Sequence, residues 1–178
     1  MSETELLARC RDGDRAAFAE LIAPQRQSAW NISLRITGNR EDAEDALQNA
    51  LIAAWQNLGK FNGEARFGTW FYRVVSNAAI DIHRRRAARI ATDFVDPTEL
   101  VDLTTASSAP SVEDRVVDVD AVRRALAELP AEFREAIVLR EFTDLSYAEI
   151  AEHQGIGVQT VKSRISRGRT QLEALLAA

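Results

Sequence analysis

The side chains best suited to chemistry on a polyanion lie between Ser146 and Arg169. Lys162, Arg164, Arg167 and Arg169 supply cations with no acid among them, in a chain whose formal charge is −5. Upstream, Ser146-Tyr147-Ala148-Glu149 has the form of a capping box, in which the serine oxygen accepts the Glu149 amide and the Glu149 carboxylate reaches back. Gly155-Ile156-Gly157 makes a tight turn. A short capped helix, a glycine turn and a longer helix from Val158 toward Leu175 form the helix-turn-helix pattern. On a wheel of about 100° per residue, Val158, Val161, Ile165, Gly168 and Leu172 share a sector that faces the core. The opposite side carries Gln159, Ser163, Ser166 and Arg167, flanked by Lys162 and Arg164. Long cations and small hydroxyls suit phosphates and base edges in a major groove. The competing reading is a basic helix that is merely solvated. The capping box, the turn and the acidic background favour a DNA-reading helix.

A second group lies between Phe61 and Arg89. It holds five of the twelve aromatics: Phe61, Phe67, Trp70, Phe71 and Tyr72. Helical spacing places Trp70, Phe71, Val74, Val75, Ala78 and Ile82 in a buried sector. Tyr72, Arg73, Ser76, Ile80 and Arg84 fall outside, with Asn77 at the margin. Arg84, Arg85, Arg86 and Arg89 suit phosphate oxygens, contacts that give affinity without sequence information. A third group is acidic. Glu41, Asp42, Glu44 and Asp45 open a helix at its positive end. Exposed Glu44 and Asp45 can hardly meet DNA; they suit a basic partner or simply a solvated face.

Helices must position all three groups. Apolar residues recur three and four apart, and no stretch alternates with period two long enough for a strand, so the fold class is all-α. From Asp14, an N-cap, the residues Phe18, Leu21, Ile22, Ala29 and Ile32 predict one long helix that Thr37-Gly38-Asn39 breaks. The acidic helix follows, through Leu47, Leu51, Ala54 and Trp55. Gly59 to Gly68 reads as a loop, and a third helix spans about Thr69 to Arg86. Residues 91–111 then carry Asp93, Asp96, Glu99 and Asp102, two prolines and no basic residue. That is too long for an ordinary connection inside one compact domain. The chain therefore divides into a helical domain at 1–90, an acidic flexible linker at 91–111 and a smaller helical domain at 112–178. In the last, Val117, Val122, Leu126 and Leu129 predict a helix ending near Pro130, and Phe133, Ile137, Val138 and Phe142 predict another.

Composition excludes several classes. With 46% hydrophobic and 28% charged residues in 178, the chain is neither disordered nor a membrane span. One cysteine, Cys10, forbids an internal disulfide and fits a reducing compartment. Met1-Ser2-Glu3-Thr4-Glu5 lacks the basic and apolar segments of a signal peptide, so the expected location is the cytoplasm. His83 and His153 lie in different predicted domains, far in sequence from Cys10, and no spacing suggests a metal site. Asp12-Gly13-Asp14 lacks the later ligands of a calcium loop. There is no phosphate-binding glycine loop and no nucleophile elbow, so no catalytic residue and no cofactor is expected.

Leu145-Ser-Tyr-Ala-Glu-Ile-Ala151 followed by Thr160-Val-Lys-Ser-Arg-Ile-Ser-Arg167 closely resembles region 4 of bacterial sigma factors of the extracytoplasmic-function group. Asp42-Ala-Glu-Asp-Ala-Leu-Gln48 with Ala54-Trp55, then Phe67-Gly-Thr-Trp-Phe-Tyr-Arg73 through Asn77 and Asp81 to His83-Arg-Arg-Arg86, resembles region 2 of the same group. The order and separation match over nearly the whole chain except 91–111. The resemblance implies a transcription initiation factor that binds core RNA polymerase, reads a minus-35 element as duplex, and melts and holds the minus-ten element. It implies minus-35 contacts from Gln159, Lys162, Ser163, Arg164, Ser166 and Arg167. It also implies a minus-ten surface of Phe61, Phe67, Arg73, Asn77, Arg84, Arg85 and Arg86, with Asn77 and Arg73 first for base contact. Glu44, Asp45, Gln48, Asn49, Leu51 and Ile52 would dock on the β′ clamp helices, region 4 would meet the β flap, and an anti-sigma factor is an expected partner. The linker carboxylates would mimic nucleic-acid phosphates in a polymerase channel. Gln159 stands where this group usually has glycine, Gln154 where an apolar residue is common, Gly168 where alanine is common and Asn49 where an acid is usual. Gln159 can add a bidentate adenine contact. Two other classes share part of these residues: a free-standing helix-turn-helix regulator, and a helical protein that sequesters a partner without DNA.

Overall fold

The computed structural model describes residues 1–93, 119–143 and 145–177, and among these there is no strand. Beyond Asp93, the linker read at 91–111 lies outside the described residues. Nine helices are described: α1 (Glu3–Arg11), α2 (Arg15–Ile22), α3 (Arg26–Thr37), α4 (Arg40–Asn57), α5 (Phe67–Asp93), α6 (Val119–Glu128), α7 (Ala131–Phe142), α8 (Tyr147–Gln154) and α9 (Val158–Ala177).

Two boundaries differ from the sequence expectation. The helix predicted from Asp14 to Thr37 is two helices joined by a 3-10 turn at Ala23–Gln25. Pro24 sits in that turn; it has no amide hydrogen and its ring clashes with the carbonyl four residues back, so α2 cannot run on into α3. α5 starts at Phe67, earlier than Thr69, and continues past Arg86 to Asp93. α1 is an addition. Its N-cap Ser2 forms a capping box with Glu5, the same Ser-x-x-Glu device that starts α8 at Ser146 and Glu149.

α4 lies against α3 and α5 through Ala43, Ala46, Ala50 and Ala54, all fully buried. Alanine at each contact lets the helix axes approach while leaving the long polar residues of α4 outside. Ile32, Ile36, Phe67, Phe71 and Val75 fill the space beneath. Gly38 ends α3 in the left-handed region at φ 80, and Asn39 caps α4 by accepting the Asp42 amide at 2.9 Å.

The carboxy-terminal helices pack around Leu139, Leu145, Ile150, Val161 and Ile165, with Leu126, Leu129 and Ile137 forming a second cluster. The core sector predicted for α9 holds at Val161, Ile165 and Gly168, but Val158 is 39% exposed. Val158 opens the helix, and no neighbouring element covers that first turn. Gly168 is required by its neighbours. A Cβ there would come within 2.7 Å of Ile137 Cδ1 and 3.1 Å of Phe133 Cβ. Gly168→Ala therefore sets a helix-propensity gain of about 1 kcal/mol against overpacking of roughly 1–3 kcal/mol. Overpacking wins, because Phe133 Cβ moves only if α7 moves. The variant is expected to lose about 1 kcal/mol in urea denaturation, against a gain of about 1 kcal/mol if the site had room.

The two sets of helices touch. Val138 of α7 belongs to the core cluster built mainly from the first five helices, and α3 packs on α7 and α6.

Candidate nucleic-acid interface

The α8–turn–α9 unit is built as its sequence implies. Ser146 Oγ accepts the Glu149 amide at 3.2 Å, and Glu149 Oε2 accepts the Ser146 amide at 2.8 Å. Gly155 closes α8 at φ 65. On α9, Gln159, Lys162, Ser166 and Arg167 are exposed and form the outward face, with Ser163 and Arg164 half-buried and Arg164 turned toward the buried Glu135 of α7. Arg169 instead donates to Glu141 of α7. Among the described residues, Lys162 and Arg167 make no ion pair, which leaves both charges for a ligand.

α5 departs from its predicted wheel. Ser76 and Ile80, expected outside, are buried, whereas Trp70, Val74, Ala78 and Ile82, expected inside, are only partly so. Arg73 donates to Glu149 of α8 at 2.5 Å and Arg84 to Glu135 of α7 at 3.3 Å, so two ion pairs run from the side of α5 that contains Ser76 and Ile80 to the carboxy-terminal helices. The uncovered side of α5 forms a groove with α4 of about 550 Å³. Trp70, Val74, Ala78 and Ile82 make its apolar floor, and Asn49, Asn57, Lys60, Asn77, Asp81 and Arg85 supply polar atoms at its walls. Sequence reasoning placed Asn77 and Arg85 on such a surface but missed Asn57, Lys60 and Asp81. The signal was present: Asn49, Ala53 and Asn57 repeat at four-residue spacing on one face of α4.

Phe61 and Phe67, predicted as minus-ten contacts, are core residues with 4% and 0% exposure. Phe61 meets Phe67 edge-on at 5.9 Å and Trp70 at 5.5 Å, and Phe67 stacks on Phe71 at 5.9 Å. Because α5 begins at Phe67, that ring shares a helix face with Trp70 and Phe71 and cannot reach solvent. Both phenylalanines act on the groove only by supporting Trp70. Arg86 is also committed: it donates to Asp42 of α4 at 2.7 Å. Burial works against charge on Asp42, but hydrogen bonds from Asn39 and Arg86 hold its carboxyl below the usual range. Arg86 thus ties α5 to α4, which leaves Arg85 as the groove's arginine.

The residues predicted for polymerase binding divide between two faces of α4. Glu44, Gln48 and Leu51 line a groove with Trp30, Arg26 and Arg40, and Leu51 and Ile52 line another with Phe18 and Trp55. Ile52 is 56% exposed. Asp45 is exposed beside them. Asn49 instead lines the α4–α5 groove, because one residue along a helix turns the side chain by about 100° away from Gln48.

Between the two sets of helices lies a polar interface. Arg134 is buried and its Nη2 donates to His83 Nε2 at 2.9 Å, so that nitrogen is the unprotonated acceptor. Burial, reinforced by Arg134, holds the His83 ring below its ordinary pKa. Burial likewise lowers His153, with Arg73 and Arg84 of α5 adding to the effect. Burial raises the Glu135 carboxyl, while Arg84 and Arg134 oppose that rise. Cys10 is buried and burial pushes its thiol up, so it is a packing residue rather than a nucleophile. No cluster of potential metal ligands occurs among the described residues.

The sigma-70 region 2 family model matches residues 21–90, and the sigma-70 region 4 model matches residues 120–172. The chain is 35% identical over 175 residues to the ECF RNA polymerase sigma factor SigM of Mycobacterium tuberculosis, covering 98% of this chain and 85% of that protein. The chain belongs to the extracytoplasmic-function sigma factors. SigW of Bacillus subtilis is 34% identical over 172 residues, covering 93% of this sigma factor and 92% of its relative. Among solved structures, CnrH in complex with the cytosolic domain of CnrY superposes with a TM-score of 0.64 at 27% identity, covering 98% and 97% of the two chains. The sigma factor RpoE of Bartonella quintana, solved with the anti-sigma factor NepR, shares the fold at a TM-score of 0.71.

As a sigma factor, the chain directs RNA polymerase to promoters. A free-standing helix-turn-helix regulator is not favoured, because residues 21–90, which hold α3, α4 and most of α5, match region 2, which such a regulator has no use for. No helix among the described residues is long and apolar enough to cross a membrane.

Proposed function

We propose that this sigma factor holds its promoter at two separate surfaces. The outward face of α9 reads duplex minus-35 DNA through Gln159, Lys162, Ser163, Arg164, Ser166 and Arg167. The α4–α5 groove captures the unpaired minus-ten strand, with Asn77 bonding a base edge, Trp70 underlying the base and Arg85 on a phosphate; Arg73, expected from the sequence as a base contact, and Arg84 lie outside the groove and pair with Glu149 and Glu135. The acidic and apolar face of α4, from Glu44 to Ile52 but without Asn49, docks on the β′ clamp helices, and region 4 meets the β flap. The protein works in the cytoplasm, in the boundaries 1–90, 91–111 and 112–178, under the control of an anti-sigma factor of the kind bound by the CnrH and RpoE relatives.

The supporting observation is the α4–α5 groove itself. It joins an apolar floor with one aromatic ring, Trp70, to walls carrying amides, the cations Lys60 and Arg85 and one carboxylate, Asp81, so an extruded base finds a ring to pack on and edge donors beside it. Run-off transcription with core polymerase on a genomic library, followed by sequencing of the starts, tests the assignment and yields the promoter. On that promoter, Asn77→Ala removes base-edge hydrogen bonding worth about 1–3 kcal/mol, so strand opening read by permanganate should fall about fivefold to a hundredfold. Polymerase binding by the variant should stay unchanged. Equal opening by wild type and variant rejects Asn77 as the reader.

A further inference from the structure

We propose that α1 braces the minus-ten groove: Glu3 at its start and Arg11 at its end hold the two ends of segment 62–66 and so set Lys60 against Trp70. The inference rests on the reading above that the α4–α5 groove takes the extruded base. Arg11 Nη2 donates to the Phe61 carbonyl at 3.0 Å, and the Phe67 amide donates to Glu3 Oε1 at 3.4 Å. Lys60, on a wall of the groove, directly precedes Phe61. Phe67 opens α5, and Trp70 of the groove floor lies in that helix's first turn. One short helix therefore reaches the backbone on both sides of this end of the groove. It does so from outside the stretch matched to region 2, which begins at residue 21.

Each bond suits its place. The first amides of a helix have no partner within it, and a carboxylate beside them also meets the positive end of the helix dipole. Arg11 brings a charged donor to the carbonyl that follows the 3-10 turn Leu58–Lys60. α1 can serve as a spacer because it is itself held. A capping box of Ser2 and Glu5 fixes its start, Arg9 pairs with Asp14 at 2.6 Å beyond its end, and Leu6, Leu7 and Cys10 sink into the core. From Glu3 to Arg11 it spans about 12 Å of stiff helix. Segment 62–66 is exposed throughout, and within it Asn62 Oδ1 accepts the Glu64 amide at 3.1 Å, a bond that shapes the turn without fixing its ends. Ring packing of Phe61 and Phe67 beneath Trp70 is non-directional. The two hydrogen bonds from α1 have direction, and they orient the backbone on either side.

The test uses the full chain labelled with fluorotryptophan, which gives three fluorine resonances, from Trp30, Trp55 and Trp70. Trp70→Phe assigns the one that matters. Glu3→Ala with Arg11→Ala should move or broaden the Trp70 resonance and leave the other two in place. Strand opening with core polymerase, read by permanganate, should fall about fivefold, the factor carried by one net hydrogen bond. Both side chains are exposed, so the thermal midpoint should change little. Glu3→Gln with Arg11→Lys keeps an acceptor and a donor, and should restore both readouts. An unmoved Trp70 resonance, an equal shift of all three, or wild-type opening in the alanine variant overturns the brace. Asn77→Ala decides the groove reading separately. The fluorine measurement needs no DNA, so it judges the contact of α1 with the groove whichever way Asn77→Ala falls.

Discussion

Lys162→Glu combined with Arg167→Glu is expected to abolish transcription from the sigma factor's own promoters while leaving the protein folded. Both side chains are exposed on α9, so stability should change by no more than about 0.5 kcal/mol. Each cation that meets a base edge or phosphate contributes about 1–3 kcal/mol, so removing two costs roughly 2–6 kcal/mol. That is about thirtyfold to twenty-thousandfold in promoter affinity, before the added repulsion of two new carboxylates. Single neutral changes separate the roles. If Lys162 meets a phosphate, Lys162→Ala should weaken binding to all sequences alike and reduce the salt slope by about one. If Arg167 meets a base edge, Arg167→Ala should relax the choice of base at one position. Run-off transcription and binding across a potassium chloride series read all three variants. Wild-type output from the double reversal would remove α9 from minus-35 recognition, and the helix would then be a solvated basic face.

The α9 surface was legible because everything that makes it is local. Ser146, Glu149 and Gly155 set the start and the stop of α8, and a regular wheel then decides which side of α9 faces out. Val158 escapes that wheel only because it sits in the first turn, where no other helix arrives. α5 was misread for the opposite reason. The stripe Arg73, Ser76, Ile80 and Arg84 is polar at both ends and reads as a solvent face by any hydrophobic count, yet Ser76 and Ile80 at its middle are buried. Its two arginines pair with Glu149 and Glu135 far along the chain, acids that announce nothing by spacing. Long-range charge pairs of this kind are invisible to periodicity. Gly168 shows the converse case: its departure from the alanine common in the group has no meaning in the sequence, and a plain one once Ile137 and Phe133 lie against it. The division of α4 follows the same logic, since Asn49 can be assigned to the groove only when α5 is seen beside it.

Phe67 separates a packing role from a DNA role most sharply, because both predict a fall in transcription and only one predicts a fall in stability. The ring is fully buried, stacked on Phe71 and packed against Phe61 and Trp70. Phe67→Ala leaves a cavity under the groove and should cost about 3–5 kcal/mol. Against a total of about 5–15 kcal/mol, that removes much of the stability of the amino-terminal helices. Tm should fall by about 6–20 °C, at roughly 2–4 °C per kcal/mol for a chain of this size. Phe67→Leu keeps most of the apolar volume, and its smaller cost, below that of alanine, tracks the looser packing against Phe61 and Phe71. Leucine has no π-face for a base, so a ring that stacked on DNA would leave the leucine variant as unable to open the strands as the alanine one. If Phe67 is core, as its burial requires, the leucine variant opens promoters near wild-type rates at a temperature where it is folded. Permanganate reactivity and thermal denaturation on the same preparations decide the matter: a leucine variant that is stable but cannot open DNA returns Phe67 to the minus-ten surface.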